Sequence, residues 1–163
     1  MIVAVSACGR FAFDPGGTED APGEDAPGEA AIDAPPDAPG CPAGYQAVGS
    51  SHYRDLDVHP WPEAATLCGA EGTHTLLVDS AQEATDVLAF GPLNGQNGYW
   101  LGFSWDGAGF PTDLGTTQTY LPWSAGQPDT SVIGARAVLA NAGTFYLRSD
   151  GGSGVRLVCE CFE

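Results

Sequence analysis

Four of the five cysteines of this chain stand at positions 41, 68, 159 and 161, so the segment they bracket can be stapled end to end. An even count of this kind reads as a disulfide framework. Direct pairing of Cys159 with Cys161 is geometrically poor, because an extended strand holds residues i and i+2 apart. Cys41 and Cys68 are therefore each expected to bond one of the two C-terminal cysteines, in either arrangement. A bond from Cys41 to Cys161 would close a loop of about 120 residues, a constraint of about 4 to 5 kcal/mol in the chain-entropy model. A zinc site drawing on His52, His59 and His74 is the alternative, but their spacing fits no compact zinc pattern.

The rest of the segment reads as α+β. Cys41 to Val48 opens with turn residues and leads into a weakly alternating strand. Trp61 to Cys68 predicts a helix with Pro62 in its first turn, Gly72 as its stop, and Trp61, Ala64, Ala65 and Cys68 on one face. Thr75-Leu76-Leu77-Val78 predicts a short buried strand. Ser80-Ala81-Gln82-Glu83 is a capping box that opens a second helix through about Phe90. The stretch 91–129 is loop-rich, interrupted by the apolar Tyr99-Trp100-Leu101-Gly102-Phe103, and long loops of this kind are usually functional. Ala137–Leu139, Thr144–Leu147 and Val155–Cys159 predict three closing strands of an antiparallel sheet, separated by Asn141-Ala142-Gly143 and Asp150-Gly151-Gly152 turns. His52 and His59 are expected in a solvated polar loop.

Charge narrows the partners. The 163 residues carry 21 Asp and Glu against five Arg and no Lys, a net charge of -16. A polyanion is a poor partner for such a surface, which excludes nucleic acid. Without lysine there is no P-loop and no Schiff-base chemistry. The acid is concentrated in residues 9–40, where six Pro, six Gly, seven Ala and eight Asp or Glu leave only Arg10, Phe11, Phe13, Thr18 and Ile32. Glu-Asp-Ala-Pro-Gly occurs at 19–23, repeats at 24–28 and then decays. This composition predicts a disordered, extended acidic tether of charge -7, leaving -9 to residues 41–163.

Residues 1–8 are apolar apart from Ser6 and end Val5-Ser6-Ala7-Cys8. They resemble the end of a bacterial lipoprotein signal, which implies a lipid on Cys8, export to an outer membrane or cell surface, and otherwise secretion. No Lys or Arg precedes the short apolar stretch, so the true start is expected further upstream. No run of 18 or more apolar residues is present, so membrane contact is expected only through that anchor.

Residues 41–163 resemble the C-type lectin-like domain family. The matching elements, in order, are Cys41-Pro42-Ala43-Gly44-Tyr45; Trp61, Glu63-Ala64 and Cys68; Leu76 to Ser80; Trp100-Leu101-Gly102-Phe103; Trp123 with Gly126-Gln127-Pro128-Asp129; and Val158-Cys159-Glu160. The resemblance implies a disulfide from Cys68 to Cys159. The family's N-terminal hairpin cysteine partner is missing near Ser51 and His52, so Cys41 is assigned to Cys161. Two adjacent same-face positions must then reach different partners, which a fraying strand end would allow.

Sugar binding in this family usually works through a loop calcium ion, which takes about six to eight oxygens and leaves positions for vicinal hydroxyls. Gln127-Pro128-Asp129 resembles the galactose-type form of the motif around a cis proline. Trp123 or Trp105 could stack on a sugar, although Trp123 matches a framework position and is expected mainly in packing. The family's Trp-Asn-Asp strand is replaced by Phe145-Tyr146-Leu147, and no acid lies in Ser131 to Val138. Gln127 and Asp129 alone do not make a good calcium site unless Thr130, Asp150, backbone or water complete it, so calcium dependence is doubtful. The usual central disulfide is also missing, with Arg136 and Gly151-Gly152 in its place.

Enzyme motifs do not assemble: Gly151-Gly152-Ser153-Gly154-Val155 fails the nucleophile elbow at its last position, and the histidines lack metalloprotease spacing. Asp55, Asp57, Asp106 and Asp113 are candidates for a separate calcium site, with scattered surface acids the plainer expectation. The reading is a non-enzymatic, surface-tethered carbohydrate-binding module whose partner is a glycan. The alternative is a calcium-independent domain that binds a surface protein.

Overall fold

The computed structural model describes residues 40–91, 93, 95–149 and 154–162. The expected signal at Cys8, nearly all of the acidic segment 9–40 and the Asp150-Gly151-Gly152 turn lie outside the described residues.

In chain order the elements are β1 (Gln46–Val48), β2 (Ser51–Val58), α1 (Trp61–Ala70), β3 (His74–Thr75), α2 (Ala81–Phe90), β4 (Gly98–Ser104), β5 (Arg136–Leu139), β6 (Phe145–Arg148) and β7 (Val155–Cys161). The sheet order is β1-β2-β7-β4-β5-β6, with β3 pairing β7. Among the described residues every pairing between these strands is antiparallel except one. β4 runs parallel to β7, with Gly98 opposite Val155 and Tyr99 opposite Arg156, so the sheet is mixed. The chain returns from β6 to place its last strand in the centre, a placement no local pattern specifies.

Several expectations are corrected. Residues 51–58 form β2, so His52 is a strand residue opposite Ala47 and Cys161 and not part of a solvated loop. Ser51 and Tyr53 face inward while Arg54 and Asp55 are neutralised by Glu71 and Arg156, which makes a charged segment compatible with a strand. A tight turn at Gly49, with φ 63°, joins it to β1. His59 follows β2 half-buried, and its carbonyl accepts the Trp100 indole N–H at 2.9 Å. The expected strand 75–78 shrinks to His74–Thr75; Leu76 and Val78 are buried all the same.

On α1, Ala64 and Cys68 are buried and Leu67 is half-buried, whereas Ala65 faces solvent, so the buried stripe lies one position round from expectation. On α2, Ser80 Oγ accepts the Glu83 N–H at 3.2 Å. The reciprocal arm of the capping box goes instead to Asp79, whose N–H donates to Glu83 Oε2 at 2.8 Å.

β4 is buried on both faces. Tyr99, Leu101 and Phe103 join the main core with Leu76, Val78, Val87, Leu139 and Phe145. Trp100 packs on the other side with Val138 and Val155, its ring 5.7 Å from that of Trp61. Gly102 is required within this strand, since a Cβ there would meet the Thr75 carbonyl oxygen at 2.8 Å.

The disulfides are Cys41–Cys161 and Cys68–Cys159, with Cα atoms 5.7 and 5.4 Å apart. The strand does not fray to make them. β7 stays paired through Cys161, opposite His52, and the two bonds leave the same face of one strand side by side. Among the described residues no helix is long and apolar enough to cross a membrane.

Candidate functional site

The loop that carries Gln127 is built from the edge of the sheet. Trp123 forms a parallel bridge with Phe145 at the start of β6, Ser124 N–H donates to the Phe145 carbonyl at 2.8 Å, and Phe145 N–H donates to the Pro122 carbonyl at 2.8 Å. Gly126, with φ 81°, then turns the chain away, and the Gln127–Pro128 peptide bond is cis. This geometry brings the Gln127 side chain back toward β6. Its Oε1 accepts the Leu147 N–H at 2.9 Å and the Asp129 N–H at 3.0 Å.

Those two contacts occupy both lone pairs of the amide oxygen. Asp129 is exposed, its Oδ1 accepts the Ser131 N–H at 3.0 Å, and hydrogen bonds from Ser131 hold its carboxyl below the ordinary range. Across from them, Phe145 is fully buried, Tyr146 donates its hydroxyl proton to the Asn97 carbonyl at 3.2 Å, and Leu147 is 8% exposed. Among the described residues, this donor set does not fit the calcium ion that the resemblance implies. One ligand oxygen is already saturated by backbone donors, an alkyl group stands opposite it, and no group of three or more His, Cys, Asp or Glu gathers anywhere among the described residues.

Trp105 and Trp123 belong to one aromatic stack. Phe110 lies between them, its ring 5.2 Å from Trp105 and 5.0 Å from Trp123, and Trp123 continues to Phe145 at 6.1 Å. Both indoles are half-buried, so each offers an edge to solvent. The loop after Asp129 folds against the Trp105 strand end: Trp105 N–H donates to the Ala135 carbonyl at 2.9 Å, and Gly134 N–H to the Trp105 carbonyl at 2.7 Å. The chain segment that begins at Gln127 and Asp129 is thus anchored at its far end to Trp105. Val132 and Ile133 lie on that loop, 44% and 71% exposed.

The four acids considered for a separate calcium site are dispersed. Asp55 and Asp57 pair with Arg156, Asp113 with Arg136, and Asp106 caps the Ala108 and Gly109 N–H groups. Arg136, at a position where the resemblance would place a cysteine, has its guanidinium carbon 4.1 Å from the Trp61 ring centroid and donates to Asp113 at 3.3 Å. A polar link joins the segment after β4 to the start of β5 at this point.

A second cluster was not anticipated. Glu160 is fully buried on the face of β7 opposite the two cysteines, paired in register with Tyr53. Its Oε2 accepts the Leu77 N–H at 2.9 Å and lies 3.9 Å from His74 Nδ1. Tyr53 donates to Glu83 Oε1 at 2.8 Å. Burial is the main cause that pushes the Glu160 carboxyl up to about 8, and burial also raises Glu83. The alternation Cys-Glu-Cys in a strand is the sequence signal that could have placed this acid inside.

No family model matches the sequence. The chain is 34% identical over 98 residues to rat asialoglycoprotein receptor 1, a match covering 55% of this chain and 31% of the receptor. It thus spans less than a third of that relative's length. The structure is similar to the mouse scavenger receptor C-type lectin carbohydrate-recognition domain, with TM-score 0.64, 21% identity, and coverage of 76% of this chain and 99% of that one. It is equally similar to a calcium-independent type II antifreeze protein, with TM-score 0.64, 17% identity, and coverage of 75% and 94%. The fold is the C-type lectin-like fold, two helices on a mixed sheet with two disulfides.

Proposed function

We propose that this protein is a surface-tethered, lectin-like module that binds glycans without calcium. One observation carries the reading: Gln127, cis-Pro128 and Asp129 occupy a loop of a C-type lectin-like fold, with a backbone hydrogen bond to Leu147 at the place where the resemblance puts metal ligands. The similarity to a mouse carbohydrate-recognition domain supports glycan recognition, and that to a calcium-independent antifreeze protein supports a scaffold that works without the ion. Asp129 supplies an ionised acceptor for sugar hydroxyls, and the exposed edge of Trp105 supplies an apolar surface for a sugar ring.

Glycan-array binding with calcium and with EDTA tests this. The expected result is retention of the same glycans in both conditions and loss of most of that signal in Asp129→Ala. No retained glycan in either condition overturns the glycan reading; retention only with calcium overturns its calcium independence. A second reading, a domain that binds a surface protein, is favoured by the exposure of Ile133 beside the same loop. It requires a captured protein partner that Ile133→Asp releases and free sugars do not displace. The tether is proposed to run from a lipidated Cys8 through residues 9–40 to the domain 41–163. Mass measurement of the exported protein with an unmodified Cys8 would remove the anchor.

A further inference from the structure

A cleft of about 480 Å³ opens between the β1–β2 turn, the first turns of α2 and the segment 112–119, a volume within the range of about 300 to 1,000 Å³ usual for small-molecule sites. It shares no lining residue with the Gln127 loop. Two of the five large hydrophobic side chains that stand exposed among the described residues line it, Leu114 at 49% and Phe162 at 55%. The His74 ring backs Phe162, with the two centroids 4.7 Å apart. The cleft therefore holds a supported aromatic surface on which a flat apolar face can stack.

A polar group in the same lining has one hydrogen-bonding direction open. Gln118 lines the cleft although it is only 7% exposed. Its Nε2 donates to the Val78 carbonyl at 2.6 Å and to the Tyr120 carbonyl at 3.1 Å, which uses both amide hydrogens and fixes the side chain. Oε1 takes no donor among the described residues, yet it is not one of the sealed, unpaired atoms, so it opens on the cleft. A nearly buried acceptor held in this way is complementary to a hydrogen-bond donor arriving from outside. Beside it the exposed Thr117 and Thr119 supply neutral hydroxyls. On the α2 side the charged lining residues are all acids, and no Arg, Lys or His lines the cleft, so an anion is repelled.

We propose that this cleft is a second carbohydrate subsite, one that takes a neutral hexopyranose ring with equatorial hydroxyls. Such a ring has a flat C–H face, which covers Phe162 and Leu114, and a rim of hydroxyls, one of which donates to Gln118 Oε1. The Thr117 and Thr119 hydroxyls donate or accept as the ring requires. A wholly apolar ligand would leave the Gln118 oxygen unpaired, and a uronate or sialate would meet like charge, so the subsite selects for neutral sugars. The ligand class rests on the glycan reading, whereas the site itself is independent of the Gln127 loop.

Methyl β-D-glucopyranoside is the probe, titrated to about 50 mM into the intact, isotope-labelled chain in EDTA and followed by backbone amide shifts, so that a weak single-ring site still saturates. Saturating shifts are expected at Thr117, Gln118 and Thr119. Methyl β-D-glucopyranosiduronate should bind at least about tenfold more weakly, because its carboxylate faces the acidic side of the cleft. Phe162→Ala, at an exposed position, should weaken the glucoside about tenfold, the size of one lost apolar contact. Gln118→Met should weaken it further, with the melting temperature recorded to identify a folding defect. Absence of saturating shifts in the cleft overturns the proposal, and the loop reading is then judged by the glycan array alone. Equal binding of the uronate, or a glucoside affinity unchanged in Phe162→Ala, also overturns it. Shifts confined to Gln127 and Asp129 would put the sugar on the loop, which keeps the glycan reading and removes the second subsite.

Discussion

The amide oxygen of Gln127 accepts the backbone N–H of Leu147 at 2.9 Å, fastening the cis-proline loop to β6 directly. The same oxygen takes the Asp129 N–H, so one side chain organises both the loop and its junction with the sheet. A side chain so engaged acts as a strut between the loop and the sheet.

Removing that strut has a defined cost. Gln127→Ala leaves the N–H of Leu147, a residue only 8% exposed, without its acceptor, a loss of about 1 to 3 kcal/mol. Chemical denaturation should show a lower midpoint at unchanged m-value. Gln127→Glu keeps an acceptor oxygen and should recover most of the difference; equal loss in both variants would contradict the role assigned to the hydrogen bond.

Calcium should not stabilise the protein. A ligand that binds the native state raises the melting temperature by mass action, about 2.7 kcal/mol at a hundredfold excess over its dissociation constant. Millimolar calcium is expected to shift the melting temperature by less than about 1 °C relative to EDTA, because Gln127 Oε1 is taken by two backbone N–H groups and Leu147 stands where an oxygen ligand would be needed. A rise of several degrees would show that an ion finds enough oxygens.

The buried carboxyl of Glu160 predicts a pH dependence. Its folded-state value, raised from 4.5 to about 8, favours the protonated form in the native protein. The stability it contributes is complete below the unfolded value and is lost as pH rises from about 4.5 through 8. Glu83, raised by burial, acts in the same direction, whereas His74, lowered by burial, is destabilising as pH falls below its ordinary value. Glu160→Gln preserves the acceptor for Leu77 and removes the titration. Melting temperatures of the two proteins should lie close at pH 4.5 and diverge toward pH 8, with the variant higher; parallel curves would refute the assignment.

The two disulfides stabilise through long loops. Cys68 and Cys159 are 91 residues apart and fully buried. Replacing both by Ala should cost about 4 to 5 kcal/mol by chain entropy. Equilibrium unfolding of the double variant measures it, and a loss under about 1 kcal/mol would show that the core alone sets the stability.

Much of the fold was legible locally. Pro62 and Gly72 bracketed α1, Ser80 and Glu83 marked the start of α2, and alternation with turn residues located β5, β6 and β7. β2 was not, because Arg54, Asp55 and Asp57 look solvated until Glu71 and Arg156, distant in sequence, neutralise them. The motif Gln127-Pro128-Asp129 was visible as residues. Its use as a strut was not, since that depends on where β6 passes.

Sequence by itself determined what short-range chemistry controls: element type from periodicity and caps, a loop turning at Gly126 and Pro128, and cysteines whose spacing required the ends of the domain to meet. Tertiary structure alone decided what depends on neighbours across the chain. It placed β7 parallel beside β4, buried Glu160 against Tyr53, gathered Asp79, Glu83 and Asp86 around one cleft, and gave Gln127 a partner in Leu147. The division is physical: propensities and turns act over a few residues, whereas burial, charge pairing and hydrogen-bond satisfaction are set by what the completed sheet brings alongside.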